Sequence, residues 1–379
     1  MDLELKAEQK EWRERARRLA QEEFAPRAAD LDQTGEFPWE NFVRLAEEGF
    51  LCMQIPREYG GAGADYLSYI LTIEEFARAC AATSAVYEVH NSLHAEPLWR
   101  FGTEEQKKKY LPRLARGEIL GAFALTEPGA GSDAGALETV AVRDGDEYVI
   151  NGTKRFISNA GQADLYLVMA MTDKSKGTKG ITAMIVEKGT PGLSFGEPLQ
   201  KLGIRASQTS EIYFENVRVP VENRVGQEGE GFKVALATLD GGRIGIGAQA
   251  VGIAQAALDR SIAYAKERVQ FGQPIAKFQG IQWMLAEMAT DIEVARTMVY
   301  RTATLRHNNI RASREMAMAK LFAASMAVRN TAKAVQIHGG NGYMREYEVE
   351  RYMRDAKITE IYEGTSEIMK VIIAGSLLR

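Results

Sequence analysis

Ile361-Tyr362-Glu363-Gly364-Thr365-Ser366 places one carboxylate in an apolar, aromatic stretch and follows it with a glycine and a helix-capping pair. A carboxylate in such surroundings loses hydration when buried, which raises its pKa toward neutrality and makes it a usable proton acceptor. Glu363 is the candidate general base. Gly364 removes a side chain where a substrate passes close to the backbone, and Tyr362 and Gly364 are the candidate substrate contacts beside it. The structural alternative is an acid set ahead of a helix because negative charge suits the N-terminal dipole.

Other clusters carry binding chemistry. Leu125-Thr126-Glu127-Pro128-Gly129-Ala130-Gly131-Ser132-Asp133-Ala134 holds Gly129, Gly131 and Ala134 in the G-x-G-x-x-A spacing of a dinucleotide fold. That fingerprint needs a helix directly behind it, and the chain runs instead into the strand-like Thr139–Arg143. A serine-hydrolase elbow also fails, because Ala130 stands two residues before Ser132 where glycine is required. What remains is a glycine-rich turn that opens backbone N–H groups and the hydroxyls of Thr126 and Ser132 to a flat polar ligand. An ordinary turn between strands is the alternative. Asp240-Gly241-Gly242-Arg243 could meet a phosphate or adenine through Arg243, with a solvated arginine as the other reading. Arg268, Phe271 and Gln279, and the run Gln336-Ile337-His338-Gly339-Gly340, are ambiguous one by one. His90 and His94 stand four apart on an expected helix, but no third ligand completes a metal set, and no metal site is expected.

These residues need elements to position them. With 379 residues and 45% apolar composition, the chain exceeds the roughly 250–300 residues at which single cores stop growing. Two or three domains follow. Helical spacing runs from Leu5 through Trp12, Leu19 and Phe24 and is interrupted at Pro26; further helices are expected at Trp39–Glu48, Tyr66–Ala81, Ala85–Phe101 and Glu104–Ala115. Past Gly117 the texture turns to short strands: Leu120–Thr126, Thr139–Arg143, Glu147–Ile150, Arg155–Ser158, Leu165–Met171, Ile181–Glu187 and Ser210–Val219, with Asn151-Gly152 as a hairpin signal. After Pro220 helical periodicity returns, with apolar stripes at Phe278, Ile281, Leu285, Met288, Ile292, Ala295 and Val299 and at Ala317, Leu321, Ala324, Val328 and Val335. The expected fold is multidomain α and β. An N-terminal α-helical domain (1–118) leads to a middle antiparallel β-barrel or sandwich (119–231) and a C-terminal four-helix-bundle-like domain (232–379).

The formal net charge of −4 argues against a nucleic-acid binder or an anionic-membrane binder, which would show a basic stripe. Cys52 and Cys80 are too few and too far apart for a disulfide framework, which fits a reducing compartment. Met1-Asp2-Leu3-Glu4-Leu5-Lys6 shows neither signal nor transit character. The longest uncharged run, Ile244 to Leu258, falls short of the roughly 20 apolar residues that span a bilayer. A cytoplasmic protein is expected, with a mature mitochondrial-matrix form as the alternative.

Taken together, these segments resemble the acyl-CoA dehydrogenase family over essentially the whole chain. The resemblance is carried by Phe123–Asp133, by Asn151-Gly152-Thr153-Lys154 with Phe156-Ile157-Ser158-Asn159, by Asp240–Arg243, by Arg268 to Gln279, by Gln336–Gly340 and by Ile361–Ser366. It implies bound FAD, a homotetramer, and roles by position. Phe123, Leu125, Thr126, Gly131 and Ser132 are similar to the segment at the flavin edge, with Ser132 also near the thioester. Phe156, Ile157 and Ser158 resemble the strand stacked on the ring, where many members carry Trp in place of Phe156. Arg268, Phe271 and Gln279 resemble contacts to the FAD of a neighbouring subunit, and Gln336, Ile337, Gly339, Gly340, Thr365 and Glu367 further FAD contacts. Asp240 and Arg243 are similar to the CoA-binding positions.

The resemblance also implies the reaction. In one branch of the family the base precedes the arginine matching Arg243; here that place is Gly242, which leaves Glu363 as the base. It would take the α-proton of an acyl-CoA while the β-hydrogen leaves as hydride to flavin N5, giving trans-2-enoyl-CoA, with an electron-transfer flavoprotein receiving the electrons. The thioester carbonyl would be polarised by the Glu363 backbone N–H and an FAD hydroxyl. Gly241-Gly242 resembles the short-chain and short branched-chain members, which places the chain in fatty-acid β-oxidation or branched-chain amino-acid breakdown. An acyl-CoA oxidase discharging to oxygen and a non-catalytic helical scaffold are the alternatives.

Overall fold

The computed structural model describes residues 4–378; the acidic opening read at Met1–Leu3, and Arg379, lie outside them. Helices α1 (Ala7–Leu19), α2 (Ala25–Thr34), α3 (Trp39–Glu47), α4 (Tyr66–Ala79), α5 (Ala81–Glu88), α6 (Glu96–Phe101) and α7 (Glu104–Ala115) form the first layer. Their ends follow local chemistry. Asp65 Oδ1 accepts the Ser68 N–H at 2.7 Å at the start of α4, and Thr103 and Gln106 close a reciprocal capping box on α7.

Pro26 does not end the first helix as expected. A π-turn over Ala20–Phe24 carries the chain into α2, with the Ala25 N–H bonded five residues back to Ala20. Pro26 therefore sits in the first turn of α2, where its missing N–H leaves no bond unmade. A second π-turn, Val89–Ala95, joins α5 to α6, so the helical run begins at Ala81 rather than Ala85, after a break at extended Cys80.

The middle layer is an eight-stranded sheet in the order β6-β7-β3-β2-β4-β5-β8, with β1 also paired to β4. Its strands are β1 (Gly121–Ala124), β2 (Val140–Asp144), β3 (Glu147–Ser158), β4 (Leu165–Met171), β5 (Ile181–Glu187), β6 (Leu193–Phe195), β7 (Thr209–Pro220) and β8 (Arg224–Val225). Most pairings are antiparallel, while β1 and β2 run parallel to β4. Asn151-Gly152 is not a hairpin turn. It is a register shift inside the continuous strand β3, where Gly152 has φ +148 and a Cβ would collide with Thr139. The tight turn lies instead at Gly145, between β2 and β3.

The last layer is built on α8 (Gly231–Glu267), followed by a short hairpin, β9 (Val269–Gln270) and β10 (Gln273–Pro274), and by α9 (Gln279–His307), α10 (Ser313–His338), α11 (Val349–Lys357) and α12 (Ser366–Leu377). From Gly241 to Ala254 every residue of α8 is buried. Small side chains there let α4, α9 and α10 pack around it. No helix among the described residues is long and apolar enough to cross a membrane.

Candidate active site

The turn from α11 to α12 delivers Glu363 backwards onto α8. Glu363 has φ +52, a left-handed conformation that costs a non-glycine residue of order 1–3 kcal/mol unless its surroundings hold it. Three contacts hold it. Gly364 follows at φ +100 and packs against Met369, Lys320 Nζ of α10 donates to the Gly364 carbonyl at 2.7 Å, and Thr365 caps α12 by accepting the Ile368 N–H. Gly364 thus answers first to its own φ and to Met369, a constraint its sequence context does not show.

The carboxylate of Glu363 rests on Gly242, where any Cβ would overlap its Oε2; Leu93 Cδ2 lies 3.1 Å from that same position. Glu363 is partly exposed as a residue, yet its Oε2 is sealed from solvent and accepts from no backbone group and no cation. Burial pushes the group up to about 7, against the lowering effects of a hydrogen bond with Glu88 and of the Lys320 and Arg243 cations. A sealed carboxylate that no cation or backbone group ties down, with a near-neutral pKa, is the equipment of a proton acceptor.

Arg243 is 5% exposed, which overturns the solvated-arginine alternative. Its Nη1 donates to Asp240 Oδ1 at 2.6 Å, Ser313 Oγ donates to Asp240 Oδ2 at 2.8 Å, and its Nε has no partner. One turn of α8 therefore presents a fixed cation and an open donor beside Glu363. Tyr362 Oη donates to Gln249 Oε1, fastening the same turn to α8.

A second candidate surface lies on the sheet. Arg155 N–H donates to Thr126 O at 2.8 Å, joining the glycine-rich loop to β3. Lys154 and Glu127, both sealed from solvent, pair at 2.7 Å; Lys154 also donates to Leu125 O at 2.9 Å, and Glu127 accepts the N–H groups of Glu138 and Thr139. Burial brings Lys154 down to about 8. Glu127 ends below its ordinary value despite burial, because Lys154 and those N–H groups favour its charge. The two directions pull apart, and the short contact with its closed set of donors identifies an ion pair at neutral pH.

On this platform Phe156 stands at φ +58 beside the register shift in β3, 59% exposed, with the Arg155 guanidinium over its ring. Ile157 is buried and Ser158 partly exposed, and Gly131 and Ser132 are exposed beyond buried Phe123 and Leu125. An exposed aromatic held proud of a sheet, next to a loop with free backbone groups, fits a flat heteroaromatic ring such as the isoalloxazine of FAD.

The remaining candidates are not brought to this surface. Arg268, Phe271 and Gln279 lie on the exposed β9–β10 hairpin and the start of α9, with Phe271 94% exposed. Gln336, Gly339 and Gly340 are exposed at the end of α10, whereas Ile337 is core. Thr365 and Glu367 sit in the first turn of α12. Among the described residues, no hydrogen bond or ion pair joins them to the Phe123–Ser158 face. His90 and His94 are buried and neutral, held by backbone: His90 meets Leu114 O and the Gly121 N–H, and His94 meets Ala122 O. A cavity of about 410 Å³ lies between α1, α4, α8 and α9, lined by paired charges such as Arg17, Glu75 and Arg296; none of the residues above lines it.

Sequence reasoning missed Lys320 and Glu88. Lys320 falls on the apolar stripe between Ala317 and Ala324, and Glu88 follows Val86-Tyr87 on a buried helix. A charge on an otherwise apolar face was the available signal.

A helical layer, a mixed sheet and a helical bundle carry a sealed carboxylate beside an arginine and, on the sheet, an exposed aromatic; together with the domain models and relatives that follow, they mark an oxidoreductase acting on CH–CH bonds. The chain belongs to the acyl-CoA dehydrogenase family. Models of its N-terminal, middle and C-terminal domains match residues 6–118, 122–217 and 229–378. The chain is 53% identical to the short-chain specific acyl-CoA dehydrogenase of Clostridium acetobutylicum, with 100% of both chains covered. Butyryl-CoA dehydrogenase from Megasphaera elsdenii shares 48% identity at a TM-score of 0.98, again over 100% of both chains. A chain solved in work on the electron transferring flavoprotein of Acidaminococcus fermentans shares 49% identity at a TM-score of 0.99, with the same full coverage. Members of this family use FAD.

Proposed function

We propose that the protein dehydrogenates short-chain acyl-CoA thioesters to trans-2-enoyl-CoA, with Glu363 taking the α-proton and an electron-transfer flavoprotein receiving the electrons. The observation that carries this reading is the Glu363 Oε2, sealed over Gly242 and claimed by no cation and no backbone donor. When bound, FAD supplies the acceptor for the electrons that leave the β-carbon. Phe156, Ile157 and Ser158 would hold its ring from the sheet, with Phe123, Leu125, Thr126, Gly131 and Ser132 along its edge.

The chain's own residues do the rest. Lys320 holds the Gly364 carbonyl and with it the turn that carries Glu363, and Arg243 with Asp240 orients the CoA portion. Leu93 Cδ2 lies 3.1 Å from the point over Gly242 that the carboxylate covers, and an apolar side chain that close to the base favours a short acyl chain. Exposed Phe271 and Trp283 support assembly into a homotetramer in which Arg268, Phe271 and Gln279 reach a neighbour's cofactor. Bacterial relatives such as the Clostridium protein support a cytoplasmic location.

Anaerobic titration of the FAD-loaded protein with acyl-CoAs of increasing length tests the reading. Flavin bleaching is expected to be strongest for the four-carbon thioester and to fall for long chains. In air, hydrogen peroxide formed as fast as substrate is consumed would make the protein an oxidase instead.

A further inference from the structure

Two carboxylic groups, not one, meet on α8. Gly242 and Gly245 stand one turn apart on the same face of that helix. The Glu363 carboxylate covers Gly242, and Glu88 covers Gly245, where a Cβ would come within 2.9 Å of Glu88 Oε1 and 3.0 Å of its Cγ. Glu88 is 1% exposed. Its Oε1 accepts the Ser92 hydroxyl, whereas its Oε2, like the Oε2 of Glu363, is sealed and finds no protein donor. Two carboxylates seated one helical turn apart on the same face, and interacting directly, repel when both are anionic; one proton between them satisfies both.

The surroundings decide which group keeps that proton. Arg243 of α8 and Lys320 of α10 face Glu363 and favour its charge. Glu88 has no ion pair among the described residues. The groups that face it are Tyr69 and Tyr66 of α4, both held neutral by burial, Glu96 of α6, whose charge repels it, and Glu363 itself. The nearby Arg306 cation is committed to Glu96, and Tyr362 is held by Gln249. Burial first, then the Glu363 charge, drives Glu88 well above the ordinary carboxylate range.

We infer that Glu88 is a positioning residue for the base: it stays protonated at neutral pH, donates its O–H to the Glu363 carboxylate, and so keeps that carboxylate ionised and fixed over Gly242. The inference rests on the reading of Glu363 as the base. Glu88 is sealed inside the protein and acts through Glu363. Its hydrogen bond favours the charged form of Glu363 and so extends the working range of the enzyme toward acid pH.

The test is the pH profile of kcat/KM for FAD-loaded Glu88→Ala and Glu88→Gln with butyryl-CoA as the probe. Removing the donor should move the acid limb of Glu88→Ala up by about one pH unit or more, a loss of about tenfold just below neutrality. Glu88→Gln, whose amide still donates, should keep the limb within a few tenths of a unit of wild type. A limb that moves down in Glu88→Ala would show that Glu88 is ionised and repels Glu363, and would overturn the inference. A uniform loss at every pH, with the limb unmoved, would also overturn it by showing a merely structural role. Should Glu88→Ala fail to hold FAD, the infrared difference between wild type and Glu88→Gln at mildly alkaline pH decides: a neutral carboxylic-acid band lost in the variant supports the inference, and no such band sinks it. Full turnover in Glu363→Gln would instead remove the reading of Glu363, whereas an inactive Glu363→Gln with an unmoved Glu88→Ala limb removes only the role of Glu88.

Discussion

The Glu363 carboxylate occupies the space that a side chain on Gly242 would need. A carboxylate on α8 at position 242 and one at position 363 would compete for the same volume over the same helix face. Absence of a side chain at Gly242 is therefore a structural condition for Glu363 to lie where it does.

Gly242→Ala tests that condition. Its Cβ would overlap Oε2 and lie 2.7 Å from Cδ of Glu363, so the carboxylate must move. Overpacking of this kind costs about 1–3 kcal/mol, and a displaced base lowers the rate steeply. The expected result is about tenfold or greater loss of kcat with the flavin spectrum retained, checked by steady-state assay and absorbance.

Activity should fall as pH drops through about 7, because the carboxyl of Glu363 is pushed up to about 7 by burial and the neutral acid cannot accept a proton. The stability contribution has the opposite sign. Between the unperturbed value of 4.5 and about 7, the folded protein holds a proton that the unfolded chain has released, so this group lowers stability as pH rises through that window. Rate and denaturation profiles measured across roughly pH 5 to 9 check both.

Lys320→Met removes the donor to the Gly364 carbonyl and a cation that favours ionised Glu363. The expected outcome is a lower thermal midpoint, from a stability loss of at most ~1–3 kcal/mol for the acceptor left unpaired, a reduced kcat as the turn carrying Glu363 loosens, and an acid limb displaced upward. Lys320→Arg should recover the position of the limb better than the rate, since it restores charge without the same geometry. Parallel pH–rate profiles separate the two effects.

Lys154→Met leaves Glu127 sealed without its cation. Breaking a buried pair from one side costs about 3–5 kcal/mol, and the loop that presents Thr126, Gly131 and Ser132 should loosen with it. A lower thermal midpoint and weaker retention of FAD are expected. Adding Glu127→Leu should recover only part of the stability, because Glu138 and Thr139 lose the acceptor for their N–H groups.

Much of this was legible in the residues. α7 and β4 and β5 fall where periodicity places them, since strong caps and unbroken apolar runs act locally. The two π-turns and the continuous β3 were not legible. Pro26 and Asn151-Gly152 are read as breaks by their intrinsic preferences, and tertiary packing absorbs both by widening one helical turn and shifting one strand register. Glu363 stood out because an acid in an apolar segment is rare, and the same logic applied to α10 and α5 would have reached Lys320 and Glu88. The pairing of Glu127 with Lys154 joins positions far apart in sequence, which no local pattern reveals. Phe271, Arg268 and Gln279 are exposed on this chain, and the resemblance to the family is what points them at a neighbouring subunit.

The most direct measurement is anaerobic stopped-flow bleaching of FAD-loaded Glu363→Gln by a short acyl-CoA. Nearly isosteric replacement leaves the volume over Gly242 filled while removing the proton acceptor, so FAD should remain bound and bleaching should slow by about 10²-fold or more. Bleaching at the wild-type rate would contradict the account.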